Sequence, residues 1–335
     1  MGSRLDNQID PALVKQAMAL IRSAQHIALL AHEHPDGDCI GSALGMAFML
    51  REPGKTCRVV CADPPPGNLS FLPGVAEVQQ TLGAEQFDLV IALDAGELPR
   101  FGSIYTRHRD FLDHAVILNI DHHISNGGCG QVNIIDERAS ATAELLVLFQ
   151  QQAGLPMNRE AALCLLAGII TDTSSFQFTN TTPRTLEVAA LLMRHGVIPE
   201  TVVQPVYRTR PLAQVRLQAL VIDNAQTACA GRLIWSHATD ETLRSVGATP
   251  DMDDNLSGVL RDIEGVQVAA FFKNYGNPAE TRLSLRCAAP YNAAEFCQRY
   301  GGGGHARAAG AKIDLPINEA MALVVNDLQR VMDGA

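Results

Sequence analysis

His26-Ile-Ala-Leu-Leu-Ala-His-Glu-His-Pro-Asp-Gly-Asp38 is the stretch on which the architecture turns. Residues 27–31 form a short apolar run of the kind that makes a buried strand, and His32, Glu33, His34, Pro35, Asp36, Gly37 and Asp38 follow at once. A helical pattern then opens at 41–50. A strand that ends in acids and histidines before a helix predicts the carboxyl edge of a parallel sheet, where open α/β sheets bind ligands. Asp36 and Asp38, desolvated beside a histidine, would repel each other unless a cation neutralised them. A solvated acidic turn, with Asp38 capping the next helix, fits the same residues. The segment alone leaves both readings open.

Working outward, three more sites favour the cation. Apolar runs at 57–62, 88–93 and 115–120 read as further strands, and helical patterns fill 11–23, 141–152, 159–170 and 183–195. Asp94 stands at the end of one strand, and Asp121-His122-His123 at the end of another. Asp172 closes an apolar helix within Thr171-Asp172-Thr173. Each sits where an element stops, so all could meet along one sheet edge. Carboxylates with some imidazole suit Mn²⁺ or Mg²⁺ better than the thiolate sets of structural zinc. More than four candidate ligands point to two ions.

The 335 residues are long for one core and predict two domains. Residues 1–198 read as an α/β domain whose parallel sheet carries helices on both faces, 199–228 as a helical connector, and 229–335 as a smaller α/β domain. In the last, strands are expected at 233–236, 266–272, 281–286 and 311–315, with helices at 293–300 and 318–332. A composition of 47% hydrophobic and 19% charged residues excludes disorder. The formal charge of −10 argues against a long-duplex DNA binder, whose grip on phosphates needs a basic face. No apolar stretch approaches a membrane span, and residues 1–8 lack a secretory leader, so a cytoplasmic protein is expected. The eight cysteines lack paired spacing and fit reduced cytosolic thiols. Gly54-Lys55-Thr56 lacks the upstream glycine of a phosphate loop, since position 49 is Met. Trp235 and the histidines at 26, 108, 114, 195 and 237 read as packing or surface residues.

His32–Asp38, Asp94 in Ala-Leu-Asp-Ala-Gly, the literal Ile120-Asp121-His122-His123 and Asp172 in Gly-Ile-Ile-Thr-Asp-Thr resemble the motifs of the DHH phosphoesterase superfamily. Gly301-Gly302-Gly303-Gly304-His305, followed by Ala308-Ala309-Gly310, resembles its DHH-associated C-terminal domain. Motif order covers nearly the whole chain, and the compact form is similar to the branch that degrades oligoribonucleotides and phosphoadenosine phosphate. The resemblance implies two divalent ions, usually Mn²⁺. His32, Asp36 and Asp94 would hold one, and Asp38, Asp94, His122 and Asp172 the other, with Asp94 bridging. His34, where the family commonly carries Asn, would sit at the rim. Asp121 would orient a neighbouring ligand, while His123, with Arg100, would face the substrate phosphate. Catalysis would thus centre on Asp38, Asp94 and His123. The second domain would grip substrate through Ser284, Arg286, Gly303, Gly304 and His305, with Arg307 nearby.

The implied activity is two-metal activation of water to hydrolyse short single-stranded RNA and linear dinucleotides to mononucleotides, and 3′-phosphoadenosine 5′-phosphate to AMP. A cleft between catalytic and gripping domains would favour short substrates. Alternatives are a cyclic-dinucleotide phosphodiesterase, a manganese pyrophosphatase (whose Ser-Arg-Lys-Lys-Gln motif is absent) and a catalytically silent nucleotide-binding regulator. Apolar helices beside the sheet edge allow a homodimer.

Overall fold

A computed structural model describes residues 9–51, 55–253 and 255–334. The leader reading of 1–8 and the Gly54 of the phosphate-loop comparison lie outside the described residues. The chain divides after Thr209 into two compact units.

The first unit runs α1 (Pro11–Ser23), β1 (His26–Ala31), α2 (Gly37–Leu50), β2 (Thr56–Cys61), β3 (Leu89–Leu93), the short α3 (Ser103–Arg107) and α4 (Arg109–Leu112), and β4 (Ile117–Asp121). It continues through β5 (Val132–Ile135), α5 (Thr142–Ala153), α6 (Arg159–Asp172), α7 (Pro183–Met193) and α8 (Glu200–Val203). The sheet order is β2-β1-β3-β4-β5 and every pairing is parallel. Sequence patterning marks four of these strands; β5, a four-residue run after the 127–130 glycine loop, is too short to show a period. Alternate residues of the strands face two layers. Ile27, Leu29, Leu118 and Ile120 join α1, α2, α5 and α6, while Ala28, Leu30, Val90 and Ala92 pack against Phe101, Ile104 and Leu112.

Helix α2 is buried along its whole length, as a helix apolar on every side must be. Glycines set its distance from α6. A Cβ on Gly37 would run into Thr171, one on Gly41 into the Cys164 carbonyl, and one on Gly45 would lie 2.7 Å from the Leu165 side chain. These contacts make the two helices antiparallel, so the first turn of α2 meets the last turn of α6. Asp36 and Asp38 are thereby delivered beside Asp172.

The second unit comprises α9 (Leu212–Asp223), β6 (Gln226–Ala228), β7 (Leu233–Ala238), α10 (Asp240–Val246), α11 (Leu256–Arg261), β8 (Val268–Lys273) and β9 (Thr281–Cys287). It ends with α12 (Ala293–Gln298), β10 (Gly303–His305), β11 (Ala308–Ile313) and α13 (Ile317–Asp333). Its mixed sheet has the order β10-β11-β9-β8-β7-β6. Leu217 and Val221 of α9, in the stretch read as a connector, pack with Ile234, Ala269 and Phe271. Among the described residues no helix is long and apolar enough to cross a membrane.

Candidate metal centre

Strands β1, β3 and β4 are neighbours, so their carboxyl ends deliver His32, Asp94 and Asp121–His123 side by side. Asp94 turns out of β3 with φ 58°, in the left-handed region that non-glycine residues seldom occupy outside functional or tight-turn positions. Main-chain carbonyls orient both neighbouring imidazoles. His32 Nδ1 donates to Glu33 O at 2.8 Å, and His122 Nδ1 to Ala139 O at 3.2 Å. A carbonyl only accepts, so each ring keeps its Nε2 lone pair for the centre.

The two oxygens of Asp94 then face different histidines. Oδ2 lies 3.6 Å from His32 Nε2, and Oδ1 lies 3.5 Å from His122 Nε2. His32 Nε2 is 3.8 Å from Asp36 Oδ2, and His122 Nε2 is 3.6 Å from Asp172 Oδ2. These pairs are too far apart for N–H···O bonds. Two ligands about 2.1 Å from one ion at tetrahedral or right angles stand about 3.0–3.5 Å apart, a spacing the observed pairs approach. Donor atoms of Asp38, His122 and Asp172 lie within 4.8 Å of one another, as do those of His32, Asp36 and Cys39. The structure therefore brings all six residues of the sequence-predicted ligand set together. Cys39, which sequence reasoning did not single out, stands beside this group one helical turn beyond Asp36, where its Sγ donates to Asp36 O at 3.7 Å and burial keeps the thiol protonated.

Carboxylate duties are divided by oxygen. Asp36 Oδ1 caps α2, accepting from the Asp38 and Cys39 amides at 3.0 Å each. The helix-capping role left open for Asp38 at the start of α2 thus belongs to Asp36. Asp38 serves another helix: it accepts from Thr142 N at 2.6 Å and Ala143 N at 3.0 Å, at the start of α5, and from Ser42 Oγ at 3.1 Å. Thr142 Oγ1 donates to Asp94 Oδ1 at 2.9 Å.

The electrostatics fit a cation site. Burial, reinforced by the Asp94 and Asp172 charges, raises the Asp38 pKa well above the usual carboxylate range. Burial likewise pushes Asp172 up to about 7. Burial opposes the charge on Asp94 too, but His32, His122 and His123 outweigh it and hold that group at about 2. Burial disfavours the His32 imidazolium, yet the Asp94 carboxylate overcomes this and raises its pKa. Carboxylates packed this closely cannot all ionise unless divalent charge replaces protons, which is what this donor set would accept.

Asp121 is fully buried and does its work on His123. Its Oδ1 accepts from His123 Nδ1 and His122 N at 2.7 Å each, and its Oδ2 from Asn126 Nδ2 at 2.6 Å. This hydrogen bond raises His123 to about 9, so a half-buried imidazolium stands at the rim. His34 is exposed and pairs with Asp63 at 3.4 Å. Arg100 is exposed, and its carbonyl accepts from Glu33 N at 2.8 Å.

In the second unit, the glycine run forms an edge hairpin. His305 pairs with Ala308, and Ala308 with Arg286; Gly303 pairs with Gly310, and Gly310 with Ser284. Residues directly opposite share a face, so His305 and Arg286 flank the small Ala308, with Ser284 one step along. Gly304 has φ 140°, which suits glycine. Arg307 is turned to the Tyr291 carbonyl at 3.1 Å, away from this group.

Comparison with known proteins gives a consistent result. Residues 26–169 match the DHH family, N-terminal domain, and 241–333 match the DHHA1 domain. The chain is 31% identical to the bifunctional oligoribonuclease and PAP phosphatase NrnA of Thermus thermophilus, over 96% of this chain and 94% of that protein. It is 30% identical to the protein of the same name from Bacillus subtilis, over 86% of this chain and 89% of that one. Among solved structures, an exopolyphosphatase-related protein from Bacteroides fragilis superposes with a TM-score of 0.89 at 21% identity, covering 97% of this chain and 98% of that one.

Proposed function

The chain belongs to the DHH family, and from that premise we propose that it is a metal-dependent phosphoesterase acting on short oligonucleotides. Linear dinucleotides and short single-stranded RNA are the substrates we assign, with release of mononucleotides; 3′-phosphoadenosine 5′-phosphate is a second substrate, converted to AMP. The observation that carries the reading is Asp94, whose two oxygens address His32 and His122 separately, as a carboxylate shared by two cations must.

His32, Asp36 and Asp94 would hold one ion, and Asp38, Asp94, His122 and Asp172 the other. Two divalent ions, Mn²⁺ in our assignment, supply Lewis acidity to phosphoryl oxygens and lower the pKa of water. The protein's own part is positioning. Glu33 O and Ala139 O fix the imidazole tautomers, and the amides of α5 keep Asp38 in place. His123, held cationic by Asp121, would pair with a non-bridging phosphoryl oxygen and offset the charge that grows there during displacement. Ser284, Arg286 and His305, with the backbone of Gly303 and Gly304, would take a second phosphate or a base edge; Arg100 would assist at the rim.

The test is turnover on a matched panel of pApA, pGpG, a five-nucleotide RNA, 3′-phosphoadenosine 5′-phosphate, c-di-AMP and pyrophosphate, each with Mn²⁺ and with chelator. Mononucleotide release that needs the cation and vanishes in Asp94→Ala is the expected outcome. Hydrolysis of pyrophosphate or c-di-AMP alone would overturn the substrate assignment, and nucleotide binding without turnover would make the protein a regulator.

A further inference from the structure

The turn between β5 and α5, together with the first two residues of α5, touches the centre at three points. Ala139 O receives His122 Nδ1, the Thr142 and Ala143 amides hold Asp38, and Thr142 Oγ1 reaches Asp94. Each of those contacts serves Asp38, His122 or the Asp94 oxygen that faces His122. The His32–Asp36 half is braced differently, by Glu33 O and by the first-turn amides of α2.

A buried network stands behind the turn. Glu144, fully buried in the first turn of α5, reaches back with Oε2 to Ser140 N at 3.2 Å and Ser140 Oγ at 2.6 Å, and takes Thr185 Oγ1 at 2.8 Å. Its other oxygen is paired with Arg184 Nε. Arg184 Nη1 in turn reaches Asp136 Oδ2, at the opposite end of the turn, at 3.0 Å. Asn180 Nδ2 adds bonds to Ser140 O at 3.0 Å and to Asp172 O at 3.2 Å. Arg184 and Glu144 are therefore tied to residues 136 and 140, which bracket Ala139, while Glu144 stands on the same first helical turn as Thr142 and Ala143. Removing Arg184 would leave the Glu144 carboxylate buried without a counter-charge, and removing Glu144 would leave Arg184 tied to Asp136 alone, so the turn's geometry depends on both.

From this geometry we infer that Glu144 and Arg184 are positioning residues for one half of the centre, the cation position formed by Asp38, His122, Asp172 and Asp94 Oδ1, and not for the half formed by His32 and Asp36. The inference rests on the two-cation reading above. Groups that hold metal ligands in place typically govern affinity by about 10–100-fold. A brace serving one position only should weaken that position selectively.

Calorimetric titration of the chelator-stripped full chain with Mn²⁺ alone tests this, comparing wild type, Glu144→Gln, Ser140→Ala and Val188→Ala. Ser140→Ala keeps both charges and removes only the hydroxyl bond, so it remains informative if Glu144→Gln does not fold. Val188, fully buried in α7 and bearing no polar group of the network, controls for general loss of stability. We expect Glu144→Gln to weaken one of two cation equivalents by about 10–100-fold and leave the other within about twofold. Ser140→Ala should give a smaller loss at the same equivalent, and Val188→Ala should melt earlier with both affinities kept. Equal weakening of both positions, no weakening of either, or the same selective loss in Val188→Ala would overturn the inference. A wild type that binds a single cation would instead sink the two-cation reading on which it stands, and is distinguishable because it precedes any variant.

Discussion

Gly168 lies within α6, where replacement by alanine would ordinarily stabilise a helix by about 1 kcal/mol. Here the sign should reverse. A Cβ on Gly168 would sit 2.6 Å from Asp38 Oδ1, 2.7 Å from Ala143 Cβ and 3.3 Å from Asp38 Cα. None of these atoms is the free end of a flexible chain: Asp38 is pinned by the amides of Thr142 and Ala143 and by Ser42 Oγ, and Ala143 Cβ is fixed to α5. Overpacking of this kind costs about 1–3 kcal/mol, so after the propensity gain Gly168→Ala should lose roughly 1 kcal/mol. For a unit of this size that lowers the melting temperature by about 2–4 °C. The same displacement moves a carboxylate of the centre, so Mn²⁺ affinity should fall alongside stability. Thermal unfolding and calorimetric Mn²⁺ titration read the two effects, with Gly67→Ala as a neutral control because nothing lies near a Cβ there. A Gly168→Ala protein as stable as wild type, with unchanged cation affinity, would refute the reasoning.

Other outcomes follow from the same site. In the cation-free protein Asp172 keeps its proton up to about 7, whereas an unperturbed carboxyl releases it near 3.8. The folded state then holds more protons over that interval, so the stability of the stripped protein should fall as pH rises from about 4 to about 7, and Mn²⁺ affinity should rise as the proton is more easily displaced. Chelator-treated melts across this range check it; a flat or rising profile would count against it. Asp121→Asn removes the carboxylate that raises His123 to about 9, so the variant should lose turnover progressively above about pH 7 while wild type holds its rate. Superimposable pH–rate profiles would dismiss the role given to His123. Ser174, Ser175 and Phe176 follow one another with φ of 47°, 60° and 66°. Left-handed backbone costs L-residues roughly 1–2 kcal/mol each, so Ser175→Gly should raise the midpoint in a urea unfolding series by about 1 kcal/mol equivalent. Unchanged or lowered stability would show that the turn is not strained.

What could be read from the sequence was whatever lies at the ends of its own elements. Asp94 and Asp121–His123 follow apolar runs directly, so their arrival at one sheet edge needs only parallel strands in adjacent order. Asp172 was legible as the end of an apolar helix, though not the glycine contacts at 37, 41, 45 and 168 that bring it to α2. Contacts between distant segments were out of reach. Asp38 binds amides 104 and 105 residues away, and nothing local distinguishes that duty from capping its own helix. Glu144 and Arg184 read as charges on helices of ordinary composition; their burial appears only once α5 and α7 pack together. The hairpin at 303–310 was hidden because glycine lacks a strand signature, and its pairing depends on β9 supplying the next strand.

Anomalous diffraction from crystals of the full chain grown with Mn²⁺ would test the central claim most directly. Two cation peaks are predicted, one within ligand reach of His32, Asp36 and Asp94 Oδ2, the other of Asp38, His122, Asp172 and Asp94 Oδ1. A single peak, or two peaks that do not share Asp94, would contradict the two-cation phosphoesterase.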